Sequence, residues 1–305
     1  NPFNSDSAKI DDMLHAAING RGTYINADSP TELSDALQKL KQDIESRLGS
    51  AATLATNSVQ RQVGTVIYQG TYNTANWFGE VRALPVSVES GAIGDPVWQA
   101  SNHVPEWNYR NILSYNGSSG IVFDGPNLSA DQADLLEANG LGAEADTIVD
   151  YIKGDNSRDV SHDGGIFRVR TNPIGDIVHS APIYYKGTVY IGANDGMLHA
   201  IDATNGHEKF CYVPSLIYGH LSELAHPGYS HRYYVDGTAD ASKVGSQDLL
   251  VCGLGKGGKG YFCLDITDPD YMGPEDVMWE YPATGINDDD LGYAFSRAEI
   301  GNTKA

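Results

Sequence analysis

The sequence predicts an all-β-dominated fold, a partial β-propeller of four-stranded antiparallel blades. The first observation is a run of short apolar strands at residues 180–185, 188–193, 197–202 and 208–213, joined by turns that each contain a glycine. Glycine accepts the backbone conformations that tight hairpin turns need. The strands also carry apolar side chains on both faces, as Val189, Tyr190 and Ile191 show. Such a sheet needs cover on both sides, which blades stacked around a common axis provide.

A second observation is that the same order of strands and turns recurs further along the chain. Strands are predicted at residues 248–253, 261–265 and 277–281, and an Asp-x-Thr turn at Asp265 corresponds to the one at Asp202. The extra length of this copy is assigned to a long loop at residues 237–247. A more divergent copy spans residues 63–86, and residues 292–300 resemble the start of another. Because closed propellers have about four to eight blades, we expect an incomplete ring at the C-terminal end of this chain.

A helix is predicted before the propeller. Ser29 is a suitable N-cap, Pro30 takes the first helical position, and apolar residues follow at helical spacing as far as Leu48. Residues 50–58 are rich in Ser, Thr, Ala and Asn and are predicted to form a linker. The first predicted domain is therefore residues 1–58, an N-terminal helical segment with its linker.

The predicted propeller domain covers residues 59–305 and contains a small helical insertion at about residues 128–154. Ser129 and Gln132 form a capping box that opens one helix of the insertion. A further helix is predicted over residues 143–153 and ends at Gly154. These helices interrupt the strand pattern, so we expect them to lie on one face of the propeller.

Composition excludes two classes of partner. The chain has 40 acidic against 20 basic residues, a formal net charge of −20. Such a surface repels phosphate groups, so no nucleic-acid partner is expected. No apolar run reaches the roughly 18 residues of a transmembrane helix, so no membrane span is expected.

Two of the three cysteines are placed where they could pair across a hairpin. If Gly257 and Gly258 form the centre of the turn, Cys252 lies opposite Cys263, with Cβ atoms about 4.5–5.5 Å apart. Two interpretations stay open, a Cys252–Cys263 disulfide and a pair of inert buried thiols. Cys211 is expected to pack as a small apolar residue.

The sequence contains no H-E-x-x-H motif, no C-x-x-C motif and no nucleophile elbow. The glycine-rich residues 253–260 lack the Ser or Thr and the following helix of a phosphate loop, so they are expected to form a hairpin turn. No catalytic residue and no bound cofactor is therefore predicted.

One acidic stretch has a partial likeness to a calcium-binding loop. Asp155, Asp159 and Asp163 are weak candidates for metal ligands because they recur at even spacing. Val160 stands where such a loop needs glycine, and Ile166 where it needs a bidentate glutamate. A solvated acidic loop is the favoured interpretation.

Structural roles are predicted for seven residues of the blades. The histidines are expected to be buried and bonded to backbone, since no cysteine or carboxylate cluster accompanies them at ligand spacing. The aspartates are expected to accept backbone N–H groups and fix the shape of the turns. The seven residues are Asp176, His179, Asp195, Gly196, His199, Asp202 and Asp265. The tryptophans are expected to be packing anchors, at Trp77, Trp98, Trp107 and Trp279.

Several motifs resemble those of a known protein family and occur in the same order along the chain. They read GDIVHSAPIYY, VYIGANDGMLHAIDATNG, YYVDGT, LGKGGKGYFCLDIT and DLGYAFSRAEI. Together they resemble the propeller of the PilC/PilY-type adhesins associated with type IV pili. The segment HAAINGRGTYINADSPTELSDAL is similar to the end of the von Willebrand A-like domain that precedes this propeller in the family. The D-G-x-L-x-A-x-D pattern alone also occurs in quinoprotein dehydrogenases, so the predicted propeller is quinoprotein-like.

The resemblance implies a non-enzymatic pilus-associated adhesin and assembly factor. Such a protein is exported through the periplasm, displayed at the cell surface, and promotes pilus biogenesis or opposes retraction. The implied partners are minor pilins at the pilus tip and a host or abiotic surface. The family's calcium loop is expected beyond Ala305, so none of its ligands is assigned here.

Two alternative functions stay open. A quinoprotein-like oxidoreductase would need a cofactor-stacking tryptophan, a pair of adjacent cysteines and a calcium-bound aspartate, and the sequence has no adjacent cysteines. A scaffold propeller completed by a second chain would instead expose the edge of its last blade to that partner.

Overall fold

The computed structural model describes His15 and residues 49–56, 64–138, 140–283, 286 and 288–301, with the side chains of residues 49–53 excepted. The chain divides into one unit at Asn1–Leu48 and a second at Gly49–Ala305. The helix predicted from Ser29 to Leu48 lies outside the described residues. The fold described below is that of the second unit.

The first sheet has four antiparallel strands in chain order. They are β1 (Gly49–Thr56), β2 (Val66–Asn73), β3 (Phe78–Pro85) and β4 (Trp98–Gln99). The hairpin predicted within residues 63–86 is thus confirmed as β2 and β3. The linker predicted at residues 50–58 is wrong over 50–56, because this stretch pairs with β2 along its length. Backbone pairing with a neighbouring strand outweighs a composition that is typical of linkers.

The second sheet has six strands, in the spatial order β6-β5-β10-β9-β8-β7. They are β5 (Ile112–Tyr115), β6 (Gly120–Val122), β7 (Ile183–Tyr185), β8 (Thr188–Gly192), β9 (Leu198–Asp202) and β10 (Glu208–Tyr212). The four predicted strands of this blade are confirmed as β7 to β10. The hairpin of β5 and β6 was not predicted, and β5 runs parallel to β10. It covers what would otherwise be a free sheet edge.

The third sheet again has four antiparallel strands in chain order. They are β11 (Asp240–Val244), β12 (Gln247–Gly253), β13 (Tyr261–Asp265) and β14 (Val277–Tyr281). The last three confirm the predicted strands. The long loop predicted at residues 237–247 is wrong, because residues 240–244 form β11 and pair with β12. Gly245, with a φ of 61°, makes the tight turn between them.

The first strands of the three sheets lie next to one another, since β7 contacts both β1 and β11. Successive meanders with their first strands brought together in this way are typical of blades around a propeller axis. The predicted fold class is therefore confirmed.

The helical insertion is also confirmed, with α1 at Ala130–Glu137 and α2 at Ala145–Lys153. The capping box before α1 forms as predicted, because the Gln132 backbone donates to the Ser129 hydroxyl and the Ser129 backbone donates to the Gln132 side chain. A further short helix, α3, covers Tyr218–Leu221.

Both faces of the second sheet are buried, as its sequence requires. Val189 and Ile191 of β8 belong to a core that they share with Tyr68 and Trp98 of the first sheet. Tyr190, between them on the strand, belongs to the larger core that includes the helical insertion and the third sheet. Adjacent residues of a strand point to opposite faces, so each side of the second sheet contributes to a different core.

The predicted pairing of Cys252 with Cys263 is wrong. Cys252 lies opposite Phe262, and Cys263 lies opposite Val251. The turn between β12 and β13 contains a short 3₁₀ helix at Gly255–Gly257, and the pairing of the two strands differs by one residue from the register assumed. Such a shift places the two sulfurs on opposite faces of the sheet. All three cysteines are buried free thiols.

The thiols are therefore expected to be unreactive in the folded protein. Burial raises the pKa of Cys252 and of Cys263 to about 12, and burial also raises the pKa of Cys211. Since the thiolate is the reactive form, a short treatment with iodoacetamide at pH 8 without reductant should add no label to the native protein. The same treatment in denaturant should add three. A mass that lacks two of these three labels would reveal a disulfide instead.

Candidate functional site

Five side chains form a buried ion cluster inside the second sheet, namely Arg110, Asp195, His199, Glu208 and Cys211. His199 lies on β9 directly opposite Cys211 on β10, and Glu208 starts β10. Asp195 lies in the turn before β9, and Arg110 comes from the segment before β5. The cluster therefore joins the hairpin of β5 and β6 to the blade formed by β7 to β10, which this hairpin extends.

Arg110 and Glu208 form a two-pronged ion pair. Nε of Arg110 is 2.7 Å from Oε1 of Glu208, and Nη2 is 2.7 Å from Oε2. The remaining terminal nitrogen, Nη1, donates to the carbonyl of Lys153 at the end of α2. The side chains of Arg110 and Glu208 are only 2 % and 3 % exposed. Planar, paired contacts of this kind are the strongest form of charged hydrogen bond.

His199 lies between two carboxylates. Its Nε2 is 3.0 Å from Oδ2 of Asp195, and its Nδ1 is 3.2 Å from Oε2 of Glu208. Burial alone would lower the pKa of His199, but the Cys211 sulfur and the Asp195 carboxylate raise it well above its ordinary value. Burial likewise opposes ionisation of Glu208, yet Arg110 and His199 hold its pKa well below the usual range. The directions of these two pKa shifts favour the charged forms of His199 and Glu208.

Three of these residues, His199, Glu208 and Cys211, place potential metal-ligand atoms within 4.8 Å of one another. The prediction that no cysteine or carboxylate accompanies His199 is therefore wrong. Their donor atoms are already engaged, because Arg110 occupies both oxygens of Glu208 and His199 contacts a carboxylate through each nitrogen. A metal ion needs a deprotonated thiol and a neutral imidazole. The arrangement fits an internal ion network and does not fit a metal site.

A second polar cluster surrounds Asp176. Its Oδ2 accepts from Nδ2 of Asn194 at 2.8 Å and lies 2.7 Å from Nε2 of His231. The ring of Trp77 stacks on His231 with centroids 3.6 Å apart. The prediction that the Asp176 carboxylate accepts backbone N–H groups is wrong, because these partners are side chains. They tie the segment before β7 to the segment before β11.

His179 is also placed differently from the prediction. Its side chain is 46 % exposed, and its Nδ1 lies 2.7 Å from Oδ2 of Asp236. The expected buried histidine bonded to backbone is therefore wrong. In the two Asp-x-Thr turns, Oδ1 of Asp202 accepts from Thr204 N at 2.8 Å, and Oδ1 of Asp265 accepts from Thr267 N at 3.0 Å.

Asp195 and Gly196 lie together in the turn before β9. The carboxylate of Asp195 accepts from the backbone of Gly175 at 2.7 Å and of Met197 at 3.1 Å. Gly196 has a φ of 91°, a conformation that favours glycine. The turn therefore positions Asp195 to reach His199 as well.

In the candidate metal loop, the carboxylates of Asp155, Asp159 and Asp163 do not come together at one point. Asp155 and Asp159 each accept from the serine two residues further on, and Asp163 is exposed. Within the described ranges these three aspartates do not form a group with ligand atoms close to one another. These bonds form local turns, in which Asp159 is buried and Asp163 is exposed.

Sequence reasoning missed Arg110, Glu208 and Asp236 as functional neighbours. One signal was present: strands at residues 197–202 and 208–213 joined by a tight turn place His199 opposite Cys211, which puts Glu208 nearby. Arg110 lies 98 residues from Glu208, and Asp236 lies 57 residues from His179. No local pattern predicts contacts at such distances along the chain.

Three successive antiparallel meanders, the second and third with matching Asp-x-Thr turns at Asp202 and Asp265, define a β-propeller domain. Residues 175–305 match the family model of the PilY1 beta-propeller domain. Over these residues the chain is similar to the PilY1 propeller, which confirms the predicted resemblance to PilC/PilY-type proteins.

Two curated relatives extend the similarity beyond the propeller model. The chain is 31 % identical to the type IV pilus biogenesis factor PilY1 homolog of Xylella fastidiosa, over 92 % of this chain and 24 % of the relative. It is also 31 % identical to the type IV pilus biogenesis factor PilY1 of Pseudomonas aeruginosa, over 95 % of this chain and 29 % of the relative. The chain therefore spans less than a third of the length of these relatives.

Two solved structures align with parts of this chain. The crystal structure of the Pseudomonas aeruginosa PilY1 C-terminal domain aligns with 33 % identity and a TM-score of 0.26, over 36 % of this chain and 21 % of that one. A europium-containing methanol dehydrogenase aligns with 12 % identity and a TM-score of 0.28, over 78 % of this chain and 27 % of that one.

Within the part of the chain that the structure describes, every helix is too short or too polar to cross a bilayer.

Proposed function

We propose that this chain is part of a type IV pilus biogenesis factor that acts as a non-enzymatic adhesin and assembly protein. The observation that carries the proposal is the similarity to proteins named type IV pilus biogenesis factors over more than nine tenths of this chain. The proposed partners are minor pilins at the pilus tip and the surface to which the cell attaches. The proposed location is the cell surface, after export through the periplasm.

Two features support a role in binding over one in catalysis. The sequence has no nucleophile or metal-hydrolase motif, and its cysteines at positions 211, 252 and 263 are not adjacent. The polar groups of the buried ion cluster bond to one another inside the second sheet. They therefore stabilise the blade that the β5 hairpin extends.

Deletion of the gene in the parent organism tests the proposal. We expect loss of surface pili, twitching motility and attachment. The same deletion in a strain whose pili cannot retract separates two roles: pili that return there indicate that the protein opposes retraction, and pili that stay absent indicate a need in assembly. Piliation, twitching and attachment that all remain unchanged would contradict the proposal.

Complementation then tests whether the folded propeller is the active part. The wild-type gene and an Arg232→Met variant should both restore pili, because Arg232 lies in an exposed ion pair. An Arg110→Met variant, which removes a buried cation, should fail to restore them. Restoration by all three genes would show that pilus formation does not depend on the buried ion cluster.

A further inference from the structure

A cavity of about 310 Å³ opens between the segments that lead into β7 and β11. His179 lies on one side, and Asp236 and Gly237 lie on the other. Lys256, from the glycine-rich turn of the third sheet, and Phe295 and Arg297, from the segment after β14, complete its wall. This volume lies within the range of small-molecule sites.

The wall of the cavity carries cationic side chains in a chain whose net charge is −20. Lys256 is exposed, its Nζ lies 4.8 Å from the centre of the Tyr233 ring, and it forms no ion pair with a residue that the structure describes. Nη2 of Arg297 is 2.7 Å from Oδ1 of Asp240, and its side chain is 54 % exposed. An arginine has five N–H donors, so Arg297 has donors left for a ligand.

His179 is held in one orientation at the cavity. Oδ1 of Asp236 accepts from the His179 backbone at 3.2 Å, and Oδ2 lies 2.7 Å from Nδ1 of its ring. The Asp236 carboxylate is only 1 % exposed. Within the described ranges Nε2 of His179 has no hydrogen-bond partner, and that nitrogen is free to contact a ligand. A carboxylate that fixes a histidine in this way prepares it for a polar partner.

We propose that this cavity binds a small carboxylate with a flat apolar body. Lys256 and Arg297 provide charged donors for the carboxylate group. The ring of Phe295, which is 68 % exposed, provides a face for the apolar body. A bare inorganic anion would use the cations and leave this ring uncovered. The proposal does not depend on the role in pilus assembly.

Ligand-observed NMR with three probes tests the chemistry. Benzoate should bind with a Kd of order 1 mM, and neutral benzamide should bind at least about tenfold more weakly because it lacks the charge. Inorganic phosphate should also bind more weakly than benzoate. No saturable benzoate binding up to about 20 mM would overturn the proposal, as would equal binding of benzamide. Tighter binding of phosphate would show a site for inorganic anions instead.

Matched variants test the location. Lys256→Met should weaken benzoate binding by about tenfold, the scale of one charged contact. Lys259→Met removes an exposed lysine of the same turn that does not line the cavity, and it should change the Kd by less than about twofold. Phe295→Ser should weaken benzoate binding several-fold and leave acetate binding unchanged. Equal losses in the two lysine variants, at unchanged melting temperatures, would place the ligand elsewhere.

Discussion

Replacing Arg110 with methionine should lower the free energy of unfolding by about 3–5 kcal/mol, the cost of leaving one member of a buried ion pair without its partner. The variant leaves Glu208 inside the second sheet without one of the two cationic side chains that hold its pKa low. It also removes the donor to the Lys153 carbonyl, which links the cluster to α2. Methionine keeps most of the side-chain length. The decrease in the free energy of unfolding is therefore due more to the lost charge than to lost packing.

Urea unfolding followed by circular dichroism measures this effect. The control is Arg232→Met, which breaks an Arg–Glu pair whose side chains are 47 % and 42 % exposed; it should cost about 1 kcal/mol or less. The double variant Arg110→Met with Glu208→Gln should lose less than the sum of the two single variants, because no unpaired charge remains. A loss for Arg110→Met no larger than that of the control would show that the cluster contributes little to stability.

Replacing Trp98 with alanine should cost about 3–5 kcal/mol, as expected for a large aromatic side chain removed from a core. Trp98 is 5 % exposed in the core between the first and second sheets. Its Nε1 donates to the carbonyl of Ala203 at 3.2 Å. Its ring lies against Gly206, where an added Cβ would be 2.8 Å from ring atoms. The residue therefore joins one blade to the turn of the next.

The matched control is Trp279→Ala. Trp279 lies on β14 opposite Cys263, as Trp98 lies on β4 opposite Ala83, but it is 41 % exposed. Its removal should cost about 1 kcal/mol or less in this chain. Trp98→Phe keeps an aromatic ring and loses the hydrogen bond, so an intermediate loss is expected. Similar melting temperatures for Trp98→Ala and Trp279→Ala would contradict a special role for Trp98 between the blades.

Much of the fold was predictable because its signals are local. Glycine turns and apolar strands predicted β8, β9, β12 and β13 to within about two residues of their observed ends, and the capping box predicted α1. The failures have a shared cause. The strands β1 and β11 lie in stretches of weakly apolar composition, and only pairing with β2 and β12 makes them strands. The cysteine register failed because a short 3₁₀ turn moved the pairing by one residue.

The candidate sites were less predictable than the fold. The aspartates that fix turns at Asp202 and Asp265 bond within three residues of themselves, so a sequence pattern reveals them. The partners of His199 and His179 come from other strands and other sheets. Their surroundings were therefore predicted incorrectly, although both residues had been singled out.

The amino-acid sequence by itself determined the blade pattern, the insertion of two helices and the likeness to pilus-associated proteins, because turn chemistry, strand alternation and ordered motifs are properties of neighbouring residues. Only the tertiary structure decided which charges meet in the buried ion cluster, which face Trp98 covers and which groups line the cavity beside His179. Those contacts join residues that are distant along the chain, and they form only when the blades and the β5 hairpin pack together.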